Sequence, residues 1–176
     1  GLSCKVCAML TQVTNKLRIV LVEPSHPGNI GAAARAMKNM GLEQLFLVNP
    51  KLFPHADATA RASGADDILA KAVVCETLDE SLAGCGLVVG ASARLRRLSI
   101  PQWNPRECAE KIWEEDASSE TAIIFGREHA GLTNEELARC HQLVHIPCNP
   151  DYSSLNLAAA VQVLCYEYRM VAEAGS

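Results

Sequence analysis

Three stretches of the sequence combine glycine, asparagine, serine and charge in a way that is typical of ligand sites. The first, at residues 23–38, contains Asn29, Gly31 and Arg35. A glycine-rich turn that leads into a helix N-terminus can bind an anion. The spacing matches neither G-x-G-x-x-G nor G-x-x-x-x-G-K-[ST], which disfavours dinucleotide and P-loop sites. Close packing of the helix on a sheet would explain the small residues around Gly31, but it leaves the charge of Arg35 unexplained.

The second stretch reads Phe-Gly-Arg-Glu-His-Ala-Gly-Leu, at residues 125–132. Its two glycines, Gly126 and Gly131, would let the backbone approach a ligand closely at the end of a buried strand. The alternative is a polar turn followed by a capping box at residues 133–136, which we accept for those residues. That alternative leaves Arg127 and Glu128 unexplained.

The third stretch follows the last predicted strand, at residues 146–160, and contains Ser153, Ser154 and Asn156. One of the two serines is expected to cap the long helix that follows. Capping needs one hydroxyl, and asparagine is a poor residue for a helix interior. We therefore expect Asn156 to serve a ligand.

A basic cluster, Arg94, Arg96 and Arg97, follows the fourth predicted strand. Three arginines in a short stretch are usually a solvated loop. In this acidic chain, however, they leave the sheet at the same end as the other stretches, and guanidinium groups suit phosphates. Trp103 lies nearby and could stack on a base, although a lone tryptophan is more often a core residue.

Metal and hydrolase chemistry have little support. The five histidines form no H-E-x-x-H pattern, and no G-x-S-x-G motif is present. Cys4 and Cys7 form the one C-x-x-C pair, which supplies only two of the four ligands that zinc needs. The other six cysteines are scattered, so we interpret them as small packing residues in a reducing compartment. We expect no bound metal.

Predicted strands and helices alternate along the chain around these polar stretches. Predicted strands, mostly apolar throughout, lie at 18–22, 44–48, 72–75, 87–91, 121–125 and 143–146, and predicted helices at 31–40, 59–69, 78–83, 105–115, 134–140 and 154–172. Wholly apolar strands are buried on both faces, which indicates a parallel sheet with helices on each side. In such α/β sheets ligands bind at the carboxyl ends of the strands, where all of these polar stretches begin.

The composition and charge of the chain exclude several classes of protein. The chain has 176 residues, of which 49% are hydrophobic and 20% are charged. These values fit one globular domain, which we place at residues 9–176, and we expect residues 1–8 to be a tag remnant or a disordered lead. No apolar run approaches the ~20 residues of a membrane span, so we expect a soluble, cytoplasmic protein. The net charge of −4 argues against binding nucleic acid through bulk charge and requires a local basic patch instead.

The polar stretches together resemble the motifs of the SpoU (SPOUT-class) RNA 2′-O-methyltransferases. The resemblance spans about residues 17–172 and rests on Asn29 to Arg35, Ile124 to Glu128, and Ser154 to Asn156 in that order. The sequences at residues 92–94, 131–137 and 149–158 resemble those of the branch that methylates nucleotide 32 of tRNA. The resemblance implies an α/β fold with a C-terminal trefoil knot, a homodimer, and S-adenosyl-L-methionine as methyl donor, with S-adenosyl-L-homocysteine as product.

The resemblance also implies a set of site residues. The implied catalytic residues are Arg35, Asn29, Glu128, Ser154 and Asn156, and the implied cofactor residues are Ser92, Ala93, Gly126, Glu128, Ile146, Ser154 and Leu155. For binding of tRNA the set is Arg35, Arg94, Arg96 and Arg97. In members of this family, the arginine that corresponds to Arg35 is regarded as the base that removes the ribose proton. Because guanidinium holds its proton at neutral pH, we expect Arg35 at least to position the ribose phosphate and stabilise developing alkoxide.

Three alternatives stay open. A related SpoU enzyme would methylate another tRNA position or ribosomal RNA. A module of the same fold without activity would bind RNA only, although Asn29, Arg35 and Glu128 argue against it. A nicotinamide dehydrogenase is the generic α/β interpretation. Members of the position-32 branch commonly carry a C-terminal extension that grips tRNA, so we expect either a truncated chain or a minimal member with weak RNA affinity.

Overall fold

Seven strands form one parallel sheet in the computed structural model, which describes residues 16–92, 102–115, 118–151 and 155–175. The strands are β1 Leu17–Val22, β2 Gln44–Val48, β3 Val73–Cys75, β4 Cys85–Ser92, β5 Gln102–Trp103, β6 Glu120–Phe125 and β7 Gln142–His145. Their order across the sheet is β3-β2-β1-β6-β4-β7-β5. The described helices are α1 Pro27–Asn39, α2 Ala56–Ala62, α3 Asp66–Ala70, α4 Leu78–Leu82, α5 Pro105–Glu114, α6 Asn134–Leu137 and α7 Leu157–Ala174.

The core lies on both faces of the sheet. All six residues of β1 are buried, as a strand covered on both sides requires. On one face Ile19 and Leu21 belong to a hydrophobic cluster with residues of α1, α5 and α7. On the other face Val20 and Val22 belong to a second cluster that includes residues of α6. The predicted α/β sheet with helices on both faces is therefore confirmed.

The predicted elements agree with the structure apart from shifts of a few residues at their ends and two larger differences. Strand β5 was missed because two residues, Gln102 and Trp103, are too short to show a periodic pattern. The single helix predicted at 59–69 is wrong, since α2 and α3 are separate helices. Ser63 has φ 47° and Gly64 has φ 95°, and this left-handed backbone ends α2.

The small residues of α1 serve two partners. Ala33 and Ala34 are fully buried in the core, as expected of a helix that packs closely on a sheet. Gly31 instead faces α2: a Cβ there would lie 2.0 Å from the carbonyl oxygen of Ala58. No side chain fits in that space, so Gly31 is explained by helix–helix contact.

The cap of α7 differs from the prediction. Asn156, not a serine, is the N-cap, and its Oδ1 accepts a hydrogen bond of 2.8 Å from the backbone N–H of Ala159. Asparagine is among the best N-cap residues. Asn156 therefore lies just before the helix rather than inside it, and capping by itself accounts for its residue type. Ser153 and Ser154 lie outside the described residues.

Four of the six cysteines in the described residues are buried: Cys75, Cys108, Cys140 and Cys165. Burial raises the pKa of Cys108 to about 12, so its thiol stays protonated. The packing role predicted for these four cysteines is confirmed. Within the described ranges, no helix has the length and apolar character needed to cross a membrane.

Candidate active site

A cavity opens at the carboxyl ends of β4, β6 and β7. Its walls comprise Ala91 and Ser92 from β4, Phe125 from β6, Val144 from β7, and residues of the loops that follow β6 and β7 together with the start of α7: Gly126, Arg127, Glu128, Gly131, Ile146, Cys148, Leu155, Leu157 and Ala160. Five predicted cofactor residues, Ser92, Gly126, Glu128, Ile146 and Leu155, all line this cavity. Ala93 and Ser154 lie outside the described residues. Residues far apart in sequence thus meet at one place because parallel strands end at the same edge.

Glu128 is a polar residue of this cavity that accepts several hydrogen bonds. Its carboxylate accepts hydrogen bonds from the Ser25 hydroxyl at 3.1 Å, the Asn29 side-chain amide at 3.2 Å and the Ser25 backbone N–H at 3.4 Å. Burial raises the pKa of Glu128, but hydrogen bonds from its own backbone N–H, Asn29, Ser25 and His26 outweigh burial, so the pKa lies below its usual value. Glu128 is therefore ionised and bonded on both oxygens at neutral pH.

These contacts place a negative charge at the N-terminus of α1. The helix has no acidic residue in its first turn, and its N-cap residue, His26, makes no side-chain cap. Free N–H groups at a helix start favour an anion. Glu128 provides that charge from a loop about 100 residues away. The predicted pair Asn29 and Glu128 is thus in direct contact, whereas Ser25 was missed; its position in the same turn as Asn29 was the available signal.

Gly126 has a structural reason as well as a place in the cavity. The loop after β6 folds back so that Arg127 and Gly131 form an antiparallel bridge, with backbone hydrogen bonds of 3.1 and 2.9 Å. A Cβ on Gly126 would lie 2.2 Å from the carbonyl carbon of Gly131. Glycine is therefore required for the loop that carries Glu128 to close.

Arg127 links this loop to two other elements. Its guanidinium donates to both carboxylate oxygens of Glu136, at 2.9 and 3.0 Å, and also pairs with the carboxylate of Glu23. The hydrogen bond to Glu136 is the main cause that raises the pKa of Arg127. Glu23 directly follows β1 and has φ 47°, a conformation that an L-residue rarely adopts. The charge of Arg127, which capping left unexplained, joins β1, the loop and α6.

Arg35 does not line the cavity. It is an exposed residue of α1. It follows Asn29 by six residues, which places it about 120° around the helix from Asn29. It forms no ion pair with any other described residue. The structure therefore brings Asn29 and Glu128 together, while Arg35 lies on the exposed side of the same helix.

Asn156 stands between two cavity residues, Leu155 and Leu157. Its Oδ1 is engaged in capping α7. Of the predicted RNA-binding residues, Arg94, Arg96 and Arg97 lie outside the described residues. No group of three possible metal ligands occurs within ranges 16–92, 102–115, 118–151 and 155–175.

A parallel α/β sheet with a loop-built cavity at its carboxyl edge, next to an arginine-bearing helix, defines the class of protein. Residues 16–166 match the model of the SpoU rRNA Methylase family, and the chain belongs to that family. The resemblance predicted from the sequence is confirmed.

The chain is similar to tRNA (cytidine/uridine/adenosine-2′-O-)-methyltransferase TrmJ of Pseudomonas aeruginosa, with 63% identity over 157 residues. That match covers 89% of this chain and 61% of the relative, so the chain spans about three fifths of the curated relative's length. Among solved structures, a "probable methylase family protein" of Haemophilus influenzae has TM-score 0.87 and 53% identity, over 92% of this chain and 68% of the other. TrmJ of Zymomonas mobilis (Z. mobilis ZM4) has TM-score 0.83 and 40% identity, over 87% of this chain and 68% of the other.

The fold extends to more distant proteins. AviRb of Streptomyces viridochromogenes, a SpoU methyltransferase solved in complex with AdoMet, has TM-score 0.71 and 22% identity over 92% of this chain and 62% of the other. At that identity the likeness concerns the fold alone.

Proposed function

We propose that this chain transfers a methyl group from S-adenosyl-L-methionine to a ribose 2′-hydroxyl of tRNA, at nucleotide 32. The observation that carries the proposal is the meeting of Ser92, Gly126, Glu128, Ile146 and Leu155 in one cavity beside Asn29. Membership of the SpoU family and the activity that the name of the Pseudomonas relative gives support the reaction and the tRNA substrate. The motif sequence at residues 149–158 supports nucleotide 32 as the target.

The cavity residues fit the methyl donor. Phe125, Val144, Ile146 and Leu157 supply apolar walls that suit an adenine ring, and the ionised carboxylate of Glu128 suits a cation. The donor supplies an electrophilic methyl group on a sulfonium and leaves as S-adenosyl-L-homocysteine. Gly126 and Ile146 would hold it through backbone contacts, together with Ser92, Leu155 and, outside the described residues, Ala93 and Ser154.

The chain's own residues then have to prepare the ribose oxygen. Methyl transfer breaks the donor's S–CH3 bond, forms an O–CH3 bond and releases the hydroxyl proton to solvent, and negative charge grows on the 2′-oxygen as that proton leaves. The free guanidinium of Arg35 would bind the adjacent phosphate and stabilise this charge. Glu128 is a poor base because its oxygens are already bonded and its pKa is lowered. Its role in this proposal is to hold Asn29 and the start of α1, and thereby to position Arg35.

The knot and the dimer belong to the same proposal. Strand β7 lies between β4 and β5 although it follows both in sequence, and this strand order supports the proposed trefoil knot. On α7, Tyr166 and Met170 are exposed one turn apart, at 46% and 47%. We propose that they pack against a second copy, and that changing both to lysine yields a monomer in sedimentation experiments.

Methyl transfer tests the function directly. Wild type and Arg35→Ala are incubated with radiolabelled S-adenosyl-L-methionine and unmodified tRNA transcripts, and the labelled nucleotide is mapped. We expect label in the ribose of nucleotide 32 with wild type and almost none with the variant. Label at another nucleotide or in ribosomal RNA would correct the target. Binding of tRNA without label from wild type would indicate a binding module and contradict the activity.

A further inference from the structure

Most lysines and arginines of the described residues are paired with a carboxylate. Within the described residues, ion pairs with carboxylates engage seven lysines and arginines: Arg18, Lys38, Arg106, Lys111, Arg127, Arg139 and Arg169. An ion-paired cation has less to offer an external phosphate, because the carboxylate competes for it. The described cations without a carboxylate partner are the five that remain, Lys16, Arg35, Lys51, Arg61 and Lys71.

These five side chains lie at opposite edges of the sheet. Lys16 directly precedes β1 and Lys71 lies two residues before β3, so both are at the amino ends of the strands. Lys51 instead follows β2, and its backbone N–H donates to the carbonyl of Pro24 at 3.2 Å. That contact places Lys51 beside the turn that leads into α1, on the same edge as the cavity.

Arg61 reaches the same turn from α2. The close contact of Gly31 with Ala58 holds α2 against α1, and a Cβ on Gly28 would lie 3.5 Å from Cγ of Arg61. Gly28 and Arg35 are seven residues apart, which is about two helical turns, so they share one face of α1. Arg61 and Arg35 therefore flank the same helix face, and both are exposed.

No nearby carboxylate of the described residues pairs with Lys51, Arg61 or Arg35. Glu23 pairs with Arg127, and Glu128 binds Ser25 and Asn29. Asp57 lies one turn before Arg61 on α2, but its carboxylate lies 3.8 Å from Nδ1 of His55 and forms no ion pair with Arg61. The positive charge at this edge is thus left facing solvent.

We propose that Lys51 and Arg61, together with Arg35, form a phosphate-binding surface for the RNA strand on the β1–β2 side of the cavity. The inference rests on the proposed function and adds a second anchor to it. With a net charge of −4 the protein gains little from bulk attraction, so free cations clustered at one edge decide where a polyanion lies. RNA bound there would cross α1 beside Arg35 on its way to the cavity.

A matched pair of variants tests this surface. Lys51→Ala with Arg61→Ala removes two charges from the proposed surface, and Lys16→Ala with Lys71→Ala removes two from the opposite edge. Binding of fluorescently labelled tRNA transcript is measured by anisotropy between about 50 and about 200 mM salt. The slope of log K against log salt is negative, and each lost phosphate contact reduces its magnitude by about 0.7 to 0.9. We expect a decrease of about 1.4 to 1.8 for the first variant and no change for the second.

Two further measurements separate the possible failures. Lys51→Arg with Arg61→Lys keeps both charges and should restore the wild-type slope, which excludes a folding defect as the cause. If wild type binds and methylates tRNA but the first variant keeps its slope, or if both alanine variants lose slope equally, the surface is wrong and the function stands. If wild type neither binds nor methylates tRNA, both the function and the surface are wrong.

Discussion

Replacing Glu128 by glutamine tests whether this carboxylate anchors α1. The change keeps the shape of the side chain and removes its charge. A charge near a helix N-terminus contributes about 0.3–1 kcal/mol, and a hydrogen bond to a charged group exceeds a neutral one by about 1 kcal/mol. The glutamine NH2 would also face the N–H and O–H donors of Ser25 and Asn29. After allowance for the partial exposure of the site, we expect a loss of about 1–2 kcal/mol in free energy of unfolding.

The pH dependence gives this prediction its sign. The pKa of Glu128 is lower in the folded protein than in the unfolded chain. Its contribution to stability is therefore complete above the unfolded pKa, near 4.5, and disappears as the pH falls through the lower folded value. The stability difference between wild type and Glu128→Gln should be largest at neutral pH and should shrink in acid below the unfolded pKa.

Urea unfolding at several pH values is the assay, with Glu43→Gln as the matched control. Glu43 is exposed, and within the described ranges no ion pair involves it, so its replacement should change stability little at any pH. Methyl transfer by Glu128→Gln should fall in kcat more than in affinity for tRNA, because the start of α1 moves while Arg35 stays exposed. Equal stability of wild type and Glu128→Gln at neutral pH, or a gap that persists unchanged in acid, would refute the anchoring role.

Four other substitutions, at three residues, separate local from tertiary requirements. Gly126→Ala should cost about 3 kcal/mol in unfolding experiments, because its Cβ would overlap the backbone of Gly131. Gly131 has a positive φ but open space around a Cβ, so Gly131→Ala should lower the free energy of unfolding by only about 1 to 2 kcal/mol. Equal losses for the two variants would contradict the close approach at Gly126. Asn156→Ala removes the cap of α7 and should lower the free energy of unfolding by about 1 kcal/mol, whereas Asn156→Asp should keep both the cap and the stability. If the Asp variant is stable but transfers no methyl group, Asn156 has a second role besides capping.

Local patterns predicted the fold to a large extent. Six of the seven strands in the described residues follow from apolar runs, and the capping box at Thr133 and Glu136 is present as expected. The errors occur where tertiary or backbone geometry decides. The left-handed Ser63 and Gly64 divide a pattern that reads as one helix, and Asn156 caps a helix that begins three residues later than predicted.

The candidate site was predictable in its members but not in its connections. Gly126, Glu128 and Leu155 were identified from motifs, and the cavity gathers them. The hydrogen bond between Asn29 and Glu128 joins residues 99 positions apart, and no local pattern encodes such a contact. The roles of the site residues, the boundary at residue 9 and the metal-free chemistry stay predictions.

The sequence by itself determined the parallel sheet, because uninterrupted apolar strands have to be buried on both faces, and it determined which loops carry polar groups. Only the tertiary structure decided what those groups do. It assigns Glu128 to Ser25 and the side-chain amide of Asn29 at the start of α1, Arg127 to the carboxylates of Glu23 and Glu136, and Gly31 to a helix rather than to the sheet. The physical reason is that hydrogen bonds and ion pairs depend on distances of a few ångströms, which only the folded chain establishes between remote residues.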